Sequence, residues 1–165
     1  MTTINPALLF PGNAEEALRY YASIFTGSTI VDESRYGTTG PYAEGTLLAG
    51  TIEIANQRFT LINGPEVAFT DAVSFMVSCA DQAEVDHFWE ALTADGAESR
   101  CGWLRDRFGL AWQIIPKQMG ALMGDPDPVR AQAAMVAMMG MTKIVVAEMQ
   151  AAADAAAASA AGDGA

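Results

Sequence analysis

Short apolar runs and amphipathic stretches follow one another in the same order twice along the chain. Residues 4–10 are mostly apolar, carry Pro6 and stop at Pro11-Gly12, which predicts a short buried or edge strand. A helix should follow, because Asn13 is a good N-cap with Glu16 three positions on. Ala14, Ala17, Leu18, Tyr21 and Ile24 then recur at helical spacing until Gly27. Residues 28–36 are β-prone, and Gly37 to Gly40 with Pro41 break the chain into a loop. Residues 46–55 and 58–62 predict strands joined by a turn at Asn56-Gln57, with Asn63-Gly64-Pro65 closing the segment. The first half is therefore strand, helix, three strands.

Residues 73–79 begin the same plan again. Asp81 is the second N-cap, Glu84 lies three residues on, and Val85, Phe88, Trp89 and Leu92 share a face before Gly96. The helices superpose Asn13 on Asp81, Glu16 on Glu84, Ala17 on Val85 and Ile24 on Leu92. Residues 98–105 and 110–116 predict a hairpin around Asp106-Arg107-Phe108-Gly109, where glycine supplies the positive φ of a tight turn. Its last strand, Trp112 to Ile115, matches Phe59 to Ile62 of the first half. The first half is the longer of the two, and the Gly/Thr/Pro-rich stretch 37–50 accounts for the excess as a candidate lid.

Beyond Pro116 the pattern turns helical, at 118–123 and, after Asp125-Pro126-Asp127-Pro128, at 129–139 and 142–153 around Gly140. The clustered Met135, Met138, Met139 and Met141 suit core or subunit packing. Residues 151–165 are nearly all alanine, with helix propensity but no stripe of large side chains, so a flexible tail is expected there. The fold class is α+β: two βαβββ modules, about 4–65 and 71–116, with extra helices at 118–150 in a single domain of residues 1–150. Two half-covered sheets of this kind are expected to form one curved mixed sheet around a cleft.

Composition narrows the partners. Of 165 residues, 20 are acidic and 9 basic, a formal charge of −11 that repels polyanions, so no nucleic-acid partner is expected. No run approaches the ~20 apolar residues of a membrane span and no secretory leader is evident, which predicts a cytoplasmic protein with no membrane partner. The 2 cysteines, Cys79 and Cys101, are expected as free thiols.

The segments Pro11 to Ala17 with Tyr20-Tyr21, Asn63-Gly64-Pro65 and above all Cys101 to Pro116 resemble the vicinal oxygen chelate superfamily of glyoxalases and extradiol dioxygenases. The chain is most similar to its PhnB-like branch, described as 3-demethylubiquinone-9 3-methyltransferase-like, over about residues 4–148. The resemblance implies a glyoxalase-like domain, a small-molecule ligand and pairing into a homodimer. It also implies a metal held by one side chain from the first and last strand of each half, which the matched motifs place at Pro6, Thr60, Ser74 and Gln113. Only Gln113 is an ordinary ligand among these, so no metal is expected. The lone histidine, His87, sits in mid-helix. No Gly-rich strand-to-helix turn of the nucleotide-cradling kind is present, and no cofactor is expected.

Candidate chemistry follows from strand alternation. If Trp112 and Ile114 face a helix, Gln113 faces the opposite side and can orient a ligand; Thr60 is its counterpart and Ser74 lies on the neighbouring strand. Trp103 with Tyr42 offers an aromatic wall. Cys101 is either a small buried hydrophobe or a thiolate favoured by Arg100 or Arg105, with no adjacent base. Three functions remain open: a small-molecule binding protein without metal, an enzyme of the same fold acting as a lyase, isomerase, dioxygenase or transferase, or a dimeric structural or regulatory module whose cleft is vestigial. The sequence leaves the catalytic residues unknown.

Overall fold

The computed structural model describes residues 2–162, and the chain divides into two compact units, one ending at Ala68 and one beginning at Phe69. Each contains one βαβββ module, as the repeated pattern predicts.

The first unit is a mixed sheet of β1 (Ala7–Phe10), β4 (Gln57–Asn63), β3 (Leu47–Ile54) and β2 (Thr29–Arg35), in that order, with β1 parallel to β4 and the remaining pairs antiparallel. Helix α1 (Ala14–Ile24) buries Ala14, Ala17, Leu18, Tyr21 and Ile24, the residues the helical spacing picked out. Their partners are Phe10, Ile52 and Leu61, and each fully buried large side chain contributes on the order of 2 kcal/mol. The β3–β4 turn is formed by Ala55 and Asn56, both at positive φ, one residue earlier than expected.

The helix start differs from the sequence expectation. Asn13 makes no side-chain capping bond, and its Oδ1 is buried without a partner. The free amide of Ala14 instead donates to Oδ1 of Asn63 at 2.9 Å, while the Asn63 Nδ2 donates to the Leu47 carbonyl at 2.8 Å. One buried amide thus ties helix, β3 and β4 together. Of the stretch 37–50 expected as a lid, residues 47–50 belong to β3, and the loop at 37–46 is bonded to the rest of the first module. Its base is closed by Tyr36 N–H to the Thr46 carbonyl and Gly45 N–H to the Tyr36 carbonyl, both at 2.9 Å. The Tyr36 and Tyr42 hydroxyls donate to the carbonyls of Asn63 and Gly64 at 3.2 and 2.7 Å. Arg35 adds two bonds to Glu15 and one to the Gly45 carbonyl.

The second unit repeats the sheet as β5 (Ser74–Cys79), β8 (Ala111–Pro116), β7 (Trp103–Arg105) and β6 (Ala97–Glu98), with β5 parallel to β8. Helix α2 (Gln82–Thr93) buries Val85, Trp89 and Leu92, and here the N-cap forms as expected: Asp81 accepts from the Glu84 amide at 3.0 Å, while Glu84 reaches one residue past the cap to accept from the Ala80 amide at 2.7 Å. The expected strand at 98–105 is broken, with residues 99–102 forming a turn. Cys101 sits there at φ 58 and Gly102 at φ 81, and their amides donate to the Met141 and Thr142 carbonyls at 2.9 and 2.8 Å. A Cβ at position 102 would lie 2.8 Å from the Ile114 carbonyl oxygen.

Three helices follow: α3 (Lys117–Met123), α4 (Pro128–Gly140) and α5 (Val146–Gly162). They bury Leu122, Ala134, Ile144, Met149 and Ala153, with Met119, Met123, Met138 and Met141 packed against them. Gln82 of α2 fastens this group, donating to the Ile144 carbonyl and accepting from the Val146 amide, each at 3.0 Å. The expected flexible tail is helical through residue 162, anchored by buried Ala153 and by Asp154 paired with Arg130 at 2.7 Å; residues 163–165 lie outside the described residues. Among the described residues no helix is long and apolar enough to cross a membrane.

Candidate functional site

Strand register decides which side chains share a face. In the second unit Trp112 and Ile114 are buried on the α2 side, with Phe75 5.6 Å from the Trp112 ring and Leu104 paired with Trp112. Alternation puts their neighbours on the opposite face. Trp103, Gln113 and Met76 are cross-strand partners and form one row; Arg105, Ala111 and Ser74 form the next. Of the six expected ligand-binding candidates, this face holds three, Gln113, Trp103 and Ser74. Gln113 Nε2 donates to Ser74 Oγ at 2.8 Å, which fixes the amide and leaves its Oε1 as an acceptor. Met76, 60% exposed, supplies an apolar surface beside it.

Arg105 was not among the expected ligand residues. Its guanidinium grips Asp71 through two bonds of 2.9 and 2.7 Å, and that cation holds the Asp71 carboxyl below its usual range. Asp71, Ala97, Glu98, Ser99, Trp103, Leu104 and Arg105 line a cavity of about 240 Å³ at the β6–β7 edge. Glu98 turns its carboxylate towards α2, where Trp89 Nε1 donates to it at 2.8 Å.

Thr60 occupies the equivalent place in the first unit, paired with Ala7 and Thr51, its hydroxyl 3.4 Å from that of Thr51. Because Ala7 partners Thr60 and Met76 partners Gln113, Ala7 corresponds to Met76 and Asn5 to Ser74. The expected place of Pro6 is therefore corrected to Asn5. The β1–α1 connection, Pro11-Gly12, is one residue longer than Ala80 in the second module, so the match that aligns the helices misaligns the first strands.

Tyr42 belongs to the bonded loop, its ring against Gly12 and 5.4 Å from Tyr36, its hydroxyl donating to the Gly64 carbonyl past the end of β4. Cys101 lies on the turn and not on a strand, its Sγ 4.0 Å from the Met139 carbonyl. Arg105, expected beside it, is instead paired with Asp71 at 2.7 Å. Burial pushes the other thiol, Cys79, up to about 11, with Glu84 and Asp81 adding to the effect.

The four places that the resemblance assigns to a metal carry, with the strand register applied, Asn5, Thr60, Ser74 and Gln113, neutral amides and hydroxyls. Ser74 Oγ already accepts from an N–H donor, which a cation in its place would repel. This donor set does not fit a zinc, iron or manganese ion. Among the described residues no three His, Cys, Asp or Glu side chains gather where they could hold one. His87 is exposed on α2, its ring 5.0 Å from Phe88.

Two βαβββ modules, each a four-stranded mixed sheet carrying one helix, define the vicinal oxygen chelate fold. The chain belongs to the 3-demethylubiquinone-9 3-methyltransferase family, whose model matches residues 2–115. That match ends before α3, short of the expected residue 148. A PhnB protein from Bacillus cereus is 35% identical, covering 70% of this chain and 99% of its own with a TM-score of 0.64. A Pseudomonas aeruginosa protein at 20% identity covers 70% and 98% with a TM-score of 0.60. The fosfomycin resistance protein FosX of Listeria monocytogenes, at 13% identity, shares the fold over 70% and 90% with a TM-score of 0.50. No curated protein matches the chain.

Proposed function

We propose that this chain is a metal-independent small-molecule binding protein, its ligand seated on the sheet face opposite α2. The observation that carries this reading is the Gln113–Ser74 bond beside Trp103 and Met76. It provides one oriented amide acceptor in a largely apolar surround, the composition of a small-ligand site. The donor set argues against a metal-centred reaction on this chain.

The family description names a methyl transfer, which suggests an enzyme as the second reading. A nucleotide-like methyl donor would use the helix N-termini that follow the first strand of each module. Both are occupied: Asn63 accepts from Ala14, and Asp81 with Glu84 closes α2. These bonds weigh against such a donor at these two junctions. The reading keeps the homodimer, with Val129, Val136 and Met139 of α4 as exposed apolar surface, and a light-scattering mass near 17.4 kDa would remove that part.

The test is thermal stabilisation of the metal-stripped protein by a panel of small metabolites, repeated with Gln113→Leu. Saturable stabilisation lost in the variant supports the reading. Ligand response appearing only after a transition metal is added would defeat it, and product formation from a bound compound would favour the enzyme.

A further inference from the structure

We infer that the cavity beside β6 and β7 takes a small planar carboxylate, whose carboxyl group replaces Asp71 on Arg105 while its ring lies along Trp103. The inference deepens the proposed binding function and rests on it.

Three observations lead there. The first is chemical. Arg105 presents the paired N–H donors that match a carboxylate, and the group now filling them is itself a carboxylate, held at 2.9 and 2.7 Å. A ligand of the same chemistry inherits that geometry without any rearrangement of the arginine. Second, the present occupant is replaceable. The side chains of Arg105 and Asp71 are 50% and 56% exposed, and Asp71 precedes β5 outside any helix or strand, so swinging it away breaks no ladder bond. The third observation is shape and charge. Trp103 and Arg105, two residues apart on β7, point to the same face, so the indole flanks the guanidinium. The cavity of about 240 Å³ is smaller than the ~300–1,000 Å³ of drug-sized pockets, which limits the occupant to about one ring. Glu98, the remaining carboxylate of the lining, is held through one oxygen by Trp89 Nε1 at 2.8 Å.

The exchange is a competition between two carboxylates for one guanidinium, and this separates a binding arginine from a structural one. Asp71→Asn keeps size and shape but weakens the resident competitor, so it should tighten a carboxylate ligand. Were the ion pair only structural, the same change would leave affinity unaltered.

Calorimetric titration of the full chain with benzoate and with benzamide, its uncharged counterpart, provides the test. The wild-type protein is expected to bind benzoate saturably and benzamide at least tenfold more weakly, about the value of one charge-assisted hydrogen bond. Asp71→Asn should strengthen benzoate binding by a factor of a few without altering benzamide. Arg105→Gln should weaken benzoate by roughly tenfold or more. Circular dichroism on each variant confirms that the fold is kept, and both residues are exposed enough for it to be. No saturable benzoate binding at millimolar concentration, equal binding of benzamide, or an unchanged or weaker Asp71→Asn affinity overturns the inference. Neutral ligands whose binding depends on Gln113 but not on Arg105 or Asp71 would also overturn it, while leaving the broader binding function intact.

Discussion

The two modules share one plan but begin their helices by different means. In the second, the cap is local, with Asp81 and Glu84 closing α2 within four residues. In the first, the residue at the matching place, Asn13, makes no capping bond, and the donor is satisfied from 49 residues away by Asn63. A local cap stabilises only its helix, whereas Asn63 stabilises the joint between helix, β3 and β4. A shared sequence motif can thus hide two different mechanical roles.

Substitutions at these positions measure the contrast. Asn63→Ala strands the Ala14 amide and the Leu47 carbonyl in the interior, and chemical denaturation should show a loss of about 3 kcal/mol. Asp81→Ala should cost only about 1 kcal/mol, the usual value of an exposed cap. Equal losses would erase the distinction between the two helix starts.

A second pair of positions sharpens it. Gly102→Ala drives a Cβ to 2.8 Å from the Ile114 carbonyl oxygen at a positive φ, and about 2 kcal/mol should be lost in the second unit. Gly50→Ala in the first unit meets side-chain ends rather than backbone at close range, Leu18 Cδ2 at 2.7 Å and Leu47 Cδ2 at 3.4 Å, and should cost less than Gly102→Ala.

The cysteines offer a comparison within one unit. A thiol reagent at neutral pH should modify partly exposed Cys101 in the folded protein and reach Cys79 only on unfolding. Because burial raises the Cys79 thiol from 9.0 to about 11, the folded state keeps a proton that the unfolded state releases. That contribution is complete below pH 9.0 and is lost as pH rises through about 11; Cys79→Ala should flatten this alkaline fall in a denaturation series.

The smallest effect belongs to the first unit's ion cluster. The Arg35 guanidinium lowers the Glu15 carboxyl below its ordinary 4.5, so its contribution is present above pH 4.5 and lost as pH falls through the lower folded value. Glu15→Gln should remove only a slight part of the acid sensitivity measured by denaturation between pH 5 and pH 3, since the pair is exposed and screened by salt.

What the sequence revealed follows the range of the interaction. Periodicity located α1 and α2 and their buried faces because a 3.6-residue repeat is local, and alternation set Gln113 opposite Trp112 and Ile114 for the same reason, whereas the strand register was needed to bring Ser74 and Trp103 beside it. The Asn63 cap was hidden because its partner is remote along the chain. The turn at 99–102 was read as strand because docking onto Met141 and Thr142, which no local pattern records, bends it. Arg105 was visible as a charge, but its role emerged only when Asp71, from the stretch before β5, came into reach. The alanine-rich end was misjudged because small side chains carry no amphipathic stripe, yet Ala153 is fully buried in the C-terminal core with Leu122, Ala134, Ile144 and Met149.

The amide of Gln82 has a practical corollary. By pairing with Ile144 and Val146 as a strand edge would, it makes the residues past the family match a bonded continuation of the second module. A chain cut after Pro116 would leave the amides of Cys101 and Gly102 without acceptors and bare one flank of α2. Trimming to the shared core would therefore weaken the sheet carrying the candidate site.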